Sequence, residues 1–488
     1  MPTECSPQLT FWKIEKQQVT VDFQGGEIVT DAGLLALRQF ERELGVLAGL
    51  ADGWLDPRDP QSITYDAEHV LTQAVYQILA GYCDCNDANA LRQDALFKTL
   101  LDLSPGDAEQ TLASGSTMAR FQYGYTRRQH DVPLDQREVL LEQQEARTGR
   151  IRRINEYLPE LFLRTRTAPP AHVVIDLDPT DDPTHGQQVL SFYHGHYEQH
   201  QYFPLLLFDG QSGFPLGAWL RPGTVHASCG AVECLDLVVR KLRQAWPHVT
   251  ILVRGDSGLG VPEMYQYCEE NGLLYAFGYG TNEVLKRRTN RLLKTVEFAA
   301  RMWGEDVQRF VAFDDYQAGS WTRPRRILAK VEANRMGTNR RFVVTNLSGD
   351  PKGIYHGFYV QRGDVPEKRI GELKNHLHAD RLSAHGFFAN GLRLGLHVVA
   401  FAILVLFRGA CAAEVPELAT AEVNTIRQRL FKVGARVRTS ARRIWFHFSA
   451  SWPFAELFGR VVDALARHVE RIRQAARNGS ALRPLLLK

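Results

Sequence analysis

Apolar positions recur at helical spacing through the first third of the chain. Leu34, Leu35, Leu37 and Phe40 follow Asp31, a residue suited to cap a helix. Val70, Leu71, Ala74, Val75, Ile78 and Leu79 share one face of a helix expected over 67–81. A third helix is expected after Asp87, and Ser114 can cap another before Met118. Ahead of them, Gln18 to Val29 alternates enough for a short hairpin around Gly25 and Gly26. The pattern predicts a mostly helical N-terminal domain over 1–165.

The period changes after Pro169-Pro170. Runs rich in β-formers follow at 172–178, 202–208 and 215–220, with Gly210 and Gly213 marking a turn between the last two. Then come a helix over 231–246, a strand over 249–253, a helix over 262–271 and a strand over 273–277. Three strands in a meander followed by helix–strand units predict a mixed α/β domain, 166–281, resumed over 350–410. Between its parts, 282–349 reads as an irregular basic stretch that becomes strand-like at 326–331 and 341–345, a β-rich insertion. Helical pattern returns from Glu367 to Phe407. Its longest apolar run, Leu394 to Phe407, contains His397 and is too short to span a bilayer, so a buried helix is expected. The C-terminal segment, 411–488, is strand-like over 425–448 and ends in an amphipathic helix over 454–477.

Composition narrows the class. Of 488 residues, 44% are hydrophobic and 23% charged, which excludes a disordered or fibrous chain. The seven cysteines are scattered without a CxxC pair, which fits a reduced compartment better than a disulfide framework or a zinc site. MPTECSPQ has neither a basic region nor an apolar core, so no signal peptide and no membrane partner are expected.

Charge changes the picture more. The net is only +3, but 286–341 holds 14 basic and 6 acidic residues and 427–488 holds 14 and 3. The rest of the chain is therefore acidic. Two basic blocks on an acidic body suit contact with a polyanion. Trp303, Trp321, Phe431 and Trp445 lie among the cations, which favours nucleic acid, since phosphates attract guanidinium groups and bases stack on rings.

Candidate chemistry lies where apolar strands and helices begin or end. Asp176 and Asp178 point to the same face of a strand, Asp256 directly follows the strand 249–253, and Glu367 opens a helix. Carboxylates gathered in this way suit magnesium or manganese, hard cations that prefer oxygen ligands. Singly, each is a weak signal, since a strand-terminal Asp is more often a turn former or helix cap. Asp176-x-Asp178 also resembles the D-x-D of metal-dependent glycosyltransferases, although that reading explains neither basic block.

Tyr359, Arg362, Glu367 and Lys374 bring in a family. Their segment resembles the Y-x2-R-x3-E-x6-K signature of DDE transposases encoded by bacterial insertion sequences. Asp178-Pro-Thr180 and Asp256-Ser-Gly258 resemble that family's first and second acidic strands, Thr180 to Gly186 its Thr-Asp-Asp-Pro-x-His-Gly stretch, and Tyr202 to Leu205 its Tyr-x-Pro-Leu strand. Four residues instead of three separate Arg362 from Glu367, while the six before Lys374 are kept. This leaves Glu372 as an alternative to Glu367; the two lie about 140° apart around a helix, so both cannot face one metal pair.

The resemblance implies an RNase-H-like mixed-sheet catalytic core, interrupted between the second Asp and the Glu by the β-rich insertion. It implies that Asp178, Asp256 and Glu367 bind two Mg2+ (or Mn2+) ions, with Asp176 as a possible further ligand. The expected reaction is metal-dependent cleavage and strand transfer on double-stranded DNA, at the element's terminal inverted repeats and at a target. Arg362, Lys374 and Tyr359 would hold phosphates, and Trp303 and Trp321 could stack an extruded base. The N-terminal helical domain, 1–165, would bind the DNA ends together with the basic tail, represented by Arg442 and Arg443. A homodimer on paired ends and a cytoplasmic, nucleoid-associated location follow from the same resemblance. An inactive DNA-binding relative is the competing reading.

Overall fold

A computed structural model describes residues 8–56, 58, 61, 63–123, 137–363 and 365–477. The expectation of a leaderless start, which rests on the first residues, falls largely outside them. So do the last cations of the C-terminal block, Arg483 and Lys488.

The N-terminal hairpin is formed by β1 (Leu9–Ile14) and β2 (Gln17–Val21), ahead of the expected place at Gly25-Gly26. Residues 28 and 29 instead form β3 (Ile28–Val29), which pairs with a strand of the C-terminal segment. Asp31 does not cap the helix Leu34–Leu44, whose N-cap is Gly33. It is buried and bound to Lys432 at 2.6 Å, another tie between the two ends of the chain. The helices Ala67–Ala80 and Gly115–Tyr123 form where periodicity places them, and a long helix, Arg137–Arg164, leads to the sheet.

The sheet begins with β4 (His172–Pro179), a nearly continuous buried run, as a central strand covered on both faces must be. A small side sheet of β5 (Asp182–Pro183), β6 (Phe192–His194) and β7 (Gln199–Tyr202) interrupts the path to β8 (Leu205–Asp209) and β9 (Pro215–Trp219). The helix Ala231–Ala245 crosses to β10 (Thr250–Gly255), and Pro262–Glu270 crosses to β11 (Leu274–Tyr279). In space the order is β9-β8-β4-β10-β11. The first three are antiparallel, while β10 runs parallel to β4 and to β11. This is the RNase-H-like sheet that the resemblance implies.

The insertion departs from its sequence reading. It opens with a 21-residue helix, Glu283–Trp303, capped by the Asn282 side chain and closed by Gly304. Its buried positions, Leu285, Thr289, Val296 and Ala299, recur at helical spacing, but dense charge on the other face hides the period. Three antiparallel strands follow: β12 (Val307–Tyr316), β13 (Arg325–Asn334) and β14 (Gly337–Thr345). β14 pairs antiparallel with β11, so the insertion continues the core sheet to eight strands instead of standing apart.

Two helices carry the chain back, Val365–Asn375 and Phe387–Cys411. By length and composition the second could cross a membrane, yet it lies almost wholly buried inside the protein. It packs against Ala67–Ala80, Arg137–Arg164, β9 and the last helix, Ala455–Arg477. One apolar core thereby runs through the N-terminal helices, the sheet and the tail. The expected strand over 425–448 divides into a short helix, a π-helical turn over Arg427–Phe431, and the hairpin β15 (Ala435–Ser440) and β16 (Arg443–Phe448).

His397 lies fully inside this core, and burial, with Arg393 nearby, pulls its imidazole down to about 3. The folded protein keeps it neutral, whereas the unfolded chain protonates it below about 6.5. Stability is therefore lost as pH falls from about 6.5 towards 3, by an upper bound of about 5 kcal/mol from this group. A His397→Gln variant is expected to lose melting temperature less steeply than wild type over that window. Parallel slopes would assign the acid sensitivity elsewhere.

Candidate active site

Strand register brings the first two carboxylates together. Asp176 is level with Arg254, and Leu177 with Gly255, across the parallel β4–β10 pair. One step on, Asp178 comes level with Asp256, which lies just past β10. Neighbouring strands are about 4.8 Å apart. Asp256 turns the chain: its Oδ1 accepts from the N–H groups of Gly258 (2.9 Å) and Leu259 (3.2 Å). Asp178 is pushed up to about 7, first by burial and then by the facing Asp256 and Glu367, with Arg362 opposing. The site concentrates negative charge.

Glu367 lies in the first turn of Val365–Asn375, exposed, where the helix N-terminus favours an anion. Glu372 is buried and committed elsewhere. Its oxygens accept from Arg408 at 3.0–3.1 Å and from Arg369 at 2.7 Å, which fastens this helix to Phe387–Cys411. Of the two glutamates, only Glu367 is open to solvent. Oxygen donors of this kind fit a hard divalent cation. Among the described residues, however, no three His, Cys, Asp or Glu side chains stand close enough to hold one ion.

Asp176 does not fit its expected role as a further ligand. Both its oxygens are taken by Arg254, Nε to Oδ1 at 2.5 Å and Nη2 to Oδ2 at 2.7 Å, and both side chains are buried. The same guanidinium donates from Nη1 to the Phe358 carbonyl at 2.7 Å and lies 5.1 Å from that residue's ring centre. Phe358 belongs to the π-helical turn Tyr355–Tyr359, which leads through Val360–Arg362 to the Glu367 helix. Arg254 thus ties the two acidic strands to the turn that delivers Tyr359 and Arg362. Gly210 makes room for this fork, since a Cβ there would lie 2.5 Å from both Arg254 Nη2 and Asp176 Oδ2.

Tyr359 and Arg362 lie at the carboxylates. A Cβ on Gly278 would meet the Tyr359 hydroxyl and the Ser257 nitrogen, both at 2.8 Å, so the phenol lies against the Asp256 turn. The Arg362 guanidinium is 5.3 Å from the Tyr359 ring centre. Burial alone would lower its pKa, but Tyr359, Asp178 and Asp256 hold it above the usual value.

Lys374 is engaged by Asp181 at 2.9 Å instead of standing free for a phosphate. Trp321 is buried among Tyr265, Tyr279, Tyr316 and Arg325, which removes it from the surface where a base could stack. Trp303 is exposed at the end of its helix. Arg442 and Arg443 occupy the exposed tip of the β15–β16 hairpin. His185 is exposed and has no visible part in the site.

Sequence reading missed three contributors besides Arg254. Asp181, in the Thr180 to Gly186 stretch, anchors Lys374. Tyr197, on the turn between β6 and β7, has its phenol pushed up by burial and by Asp181, Asp256 and Asp178, which sets it beside the aspartates. Arg221 is buried, and it donates to the carbonyls of Phe203 (2.8 Å), Ala227 (2.7 Å) and Cys229 (2.9 Å). It holds the loop 222–230 against the Asp256 turn, where Ala227 borders Gly258. Asp181 lay within a stretch that the resemblance had marked and Arg254 lay two residues before Asp256, but no pattern marked Tyr197 or Arg221.

Residues 11–470 match the family described as transposase DDE domain group 1, and the chain belongs to that family. It is a DDE-type enzyme of DNA cleavage and strand transfer, a class that generally uses divalent metal ions. No curated protein matches the chain. Among solved structures it is similar to a piggyBac transposase in a synaptic complex with hairpin DNA. The identity is 12%, covering 83% of this chain and 80% of that one, with a TM-score of 0.44. So slight a likeness carries no residue's role across.

Breaking a buried ion pair from one side strands the other charge and costs about 3–5 kcal/mol. Asp176→Asn is expected to lose stability of that order in chemical denaturation. The double variant with Arg254→Gln, which leaves two neutral amides, is expected to recover part of it. Additive losses would show that the two side chains do not act as a unit.

Proposed function

We propose that the protein cuts DNA at the ends of an insertion sequence and joins the freed ends to a target, with Asp178, Asp256 and Glu367 as the metal-binding carboxylates. The observation that carries this reading is the level placement of Asp178 and Asp256 on parallel neighbours, where burial first, and then the charges of Asp256 and Glu367, raise the Asp178 carboxyl. Mg2+ or Mn2+, two ions per site, would supply charge stabilisation for the attacking and leaving oxygens of phosphoryl transfer. The chain's own residues do the rest. Arg362, held by Tyr359, offers its guanidinium to the scissile phosphate beside the two aspartates. Tyr197 lines the same rim and orients the strand against it. Lys374 works through Asp181, fixing the Glu367 helix to the loop that follows β4.

In the first step water attacks the phosphodiester and the 3′ oxygen leaves as a hydroxyl. In the second, that 3′-OH attacks a phosphodiester of the target or of the opposite strand, and the 3′ oxygen there leaves in turn. No protein side chain bonds to DNA. The exposed cations Arg287, Arg291 and Lys294 on the helix Glu283–Trp303, with Trp303 at its end, suit contact with the flanking duplex. A homodimer would present two such sites to a pair of inverted repeats. The glycosyltransferase reading loses its basis, because Asp176 is bound by Arg254 and cannot act jointly with Asp178.

The test is a labelled duplex carrying the element's end, incubated with Mg2+ or Mn2+. Wild type is expected to cut at the end, and Glu367→Gln to cut at least about a hundredfold more slowly at unchanged melting temperature. Glu372→Gln is expected to act on stability, costing about 3–5 kcal/mol by stranding Arg408. Wild-type cutting by Glu367→Gln would remove it from the site. Binding without cutting by wild type would favour the inactive relative.

A further inference from the structure

The positive charge of the C-terminal segment divides between two elements, and one of them leaves it free. On the helix Ala455–Arg477, Arg460 pairs with Glu417 at 2.9 Å, Arg467 and Arg471 with Glu414, and Arg473 with Glu43. These arginines fasten the helix to the body of the protein, and their charge is largely neutralised there. The hairpin β15–β16 differs. Arg436, Arg438, Arg442 and Arg443 are exposed, and none forms an ion pair among the described residues.

Register sorts the hairpin's two faces. Arg436 stands opposite His447, Arg438 opposite Trp445, and Ser440 opposite Arg443, so these side chains share one face. The other face carries Ala435 and Val437, both buried, with Phe446 and Phe448 across from them. The apolar face is thus turned to the protein and the basic one to solvent. Trp445, 39% exposed, lies within the basic face. The strand rises about 3.4 Å per residue, so the strip from Arg436 to Ser440 is about 14 Å long. Duplex DNA carries about eight charges over that length.

We infer that this outward face of the hairpin is a docking surface for the sugar–phosphate backbone of duplex DNA, separate from the carboxylate site and indifferent to sequence. The inference rests on the reading that the enzyme handles duplex DNA, and it assigns the tail's grip to the hairpin and not to the helix, although the helix carries more arginines. Guanidinium groups on a flat strip meet phosphates along the backbone, while the indole covers a sugar. Phosphate contacts of this kind set position on the duplex and carry no sequence information.

The experiment measures binding of the full chain to a duplex of unrelated sequence over a salt series, without metal. One variant carries Arg436→Gln, Arg438→Gln, Arg442→Gln and Arg443→Gln, and the control carries Arg467→Gln and Arg471→Gln. The slope of log affinity against log salt flattens by about 0.9 for each phosphate that the protein no longer neutralises. The hairpin variant is expected to flatten by about 2 to 4, and the helix control to keep the wild-type slope. Melting temperature reports folding, and if the fourfold variant does not fold, Arg438→Gln alone is expected to flatten the slope by about 0.9. An unchanged slope in the hairpin variant overturns the inference, as does a wild type that binds no unrelated duplex. Metal-dependent cutting of an end-bearing duplex by the wild type reads the proposed function independently. Cutting with an unchanged slope sinks the hairpin alone, and a flattened slope without cutting sinks the cleavage reading alone.

Discussion

The Asp176–Arg254 pair bridges two neighbouring parallel strands inside the sheet, two residue pairs before both strands reach their acidic ends. Its fork fixes the relative height of β4 and β10, and so the height of Asp178 against Asp256. The third guanidinium nitrogen holds the Phe358 carbonyl, which sets the turn carrying Tyr359 and Arg362 and the start of the Glu367 helix. A buried pair of this kind is a weak source of net stability, because desolvation offsets much of its attraction. What it provides is position. The Glu372–Arg408 fork does the same from the other side, pinning the Glu367 helix to the central core helix.

Charge in this protein falls into three kinds. Buried pairs place elements, as with Asp176–Arg254 and Glu372–Arg408. Half-buried pairs such as Lys374–Asp181, and surface pairs such as Arg467–Glu414, tie loops and helices to the body. Other groups stand unpaired among the described residues. Anionic ones gather at the ends of β4 and β10, where Asp178 bears the repulsion of like neighbours. Cationic ones stand on the insertion helix and the β15–β16 hairpin. The net charge of +3 conceals this separation. An enzyme that must hold a polyanion and collect metal ions at the same time needs both.

Much of this arrangement was legible in the chain. The strands β4 and β8 to β11, the core helix and the amphipathic last helix follow from β-forming runs and helical period, because each has one environment and a clean pattern. The side sheet β5 to β7 carried no such signal. The acidic residues were legible as strand ends, and the family resemblance joined them. Other elements were hidden for physical reasons. The helix Glu283–Trp303 packs only a narrow stripe against β12 and β13, so its charges outweigh its period. Asp176 and Asp178 share a strand face yet do different work, since only one of them has an arginine across the strand. Trp321 resembled Trp303 in sequence, and partners from β11 and β12 and from the helix Pro262–Glu270 decided its burial. Tyr197 and Arg221 reach the site through loops whose approach no local pattern encodes.

The proposed function requires Asp178, Asp256 and Glu367 to close on divalent ions at the ends of two parallel strands. Replacing the metal with Fe2+ and adding ascorbate with peroxide generates radicals that cut the polypeptide beside the bound ion. Backbone cuts are expected in three segments distant in sequence, next to Asp178, Asp256 and Glu367, all suppressed by excess Mg2+. Cuts beside Glu372, or cuts that spare the segment at Glu367, would contradict this placement.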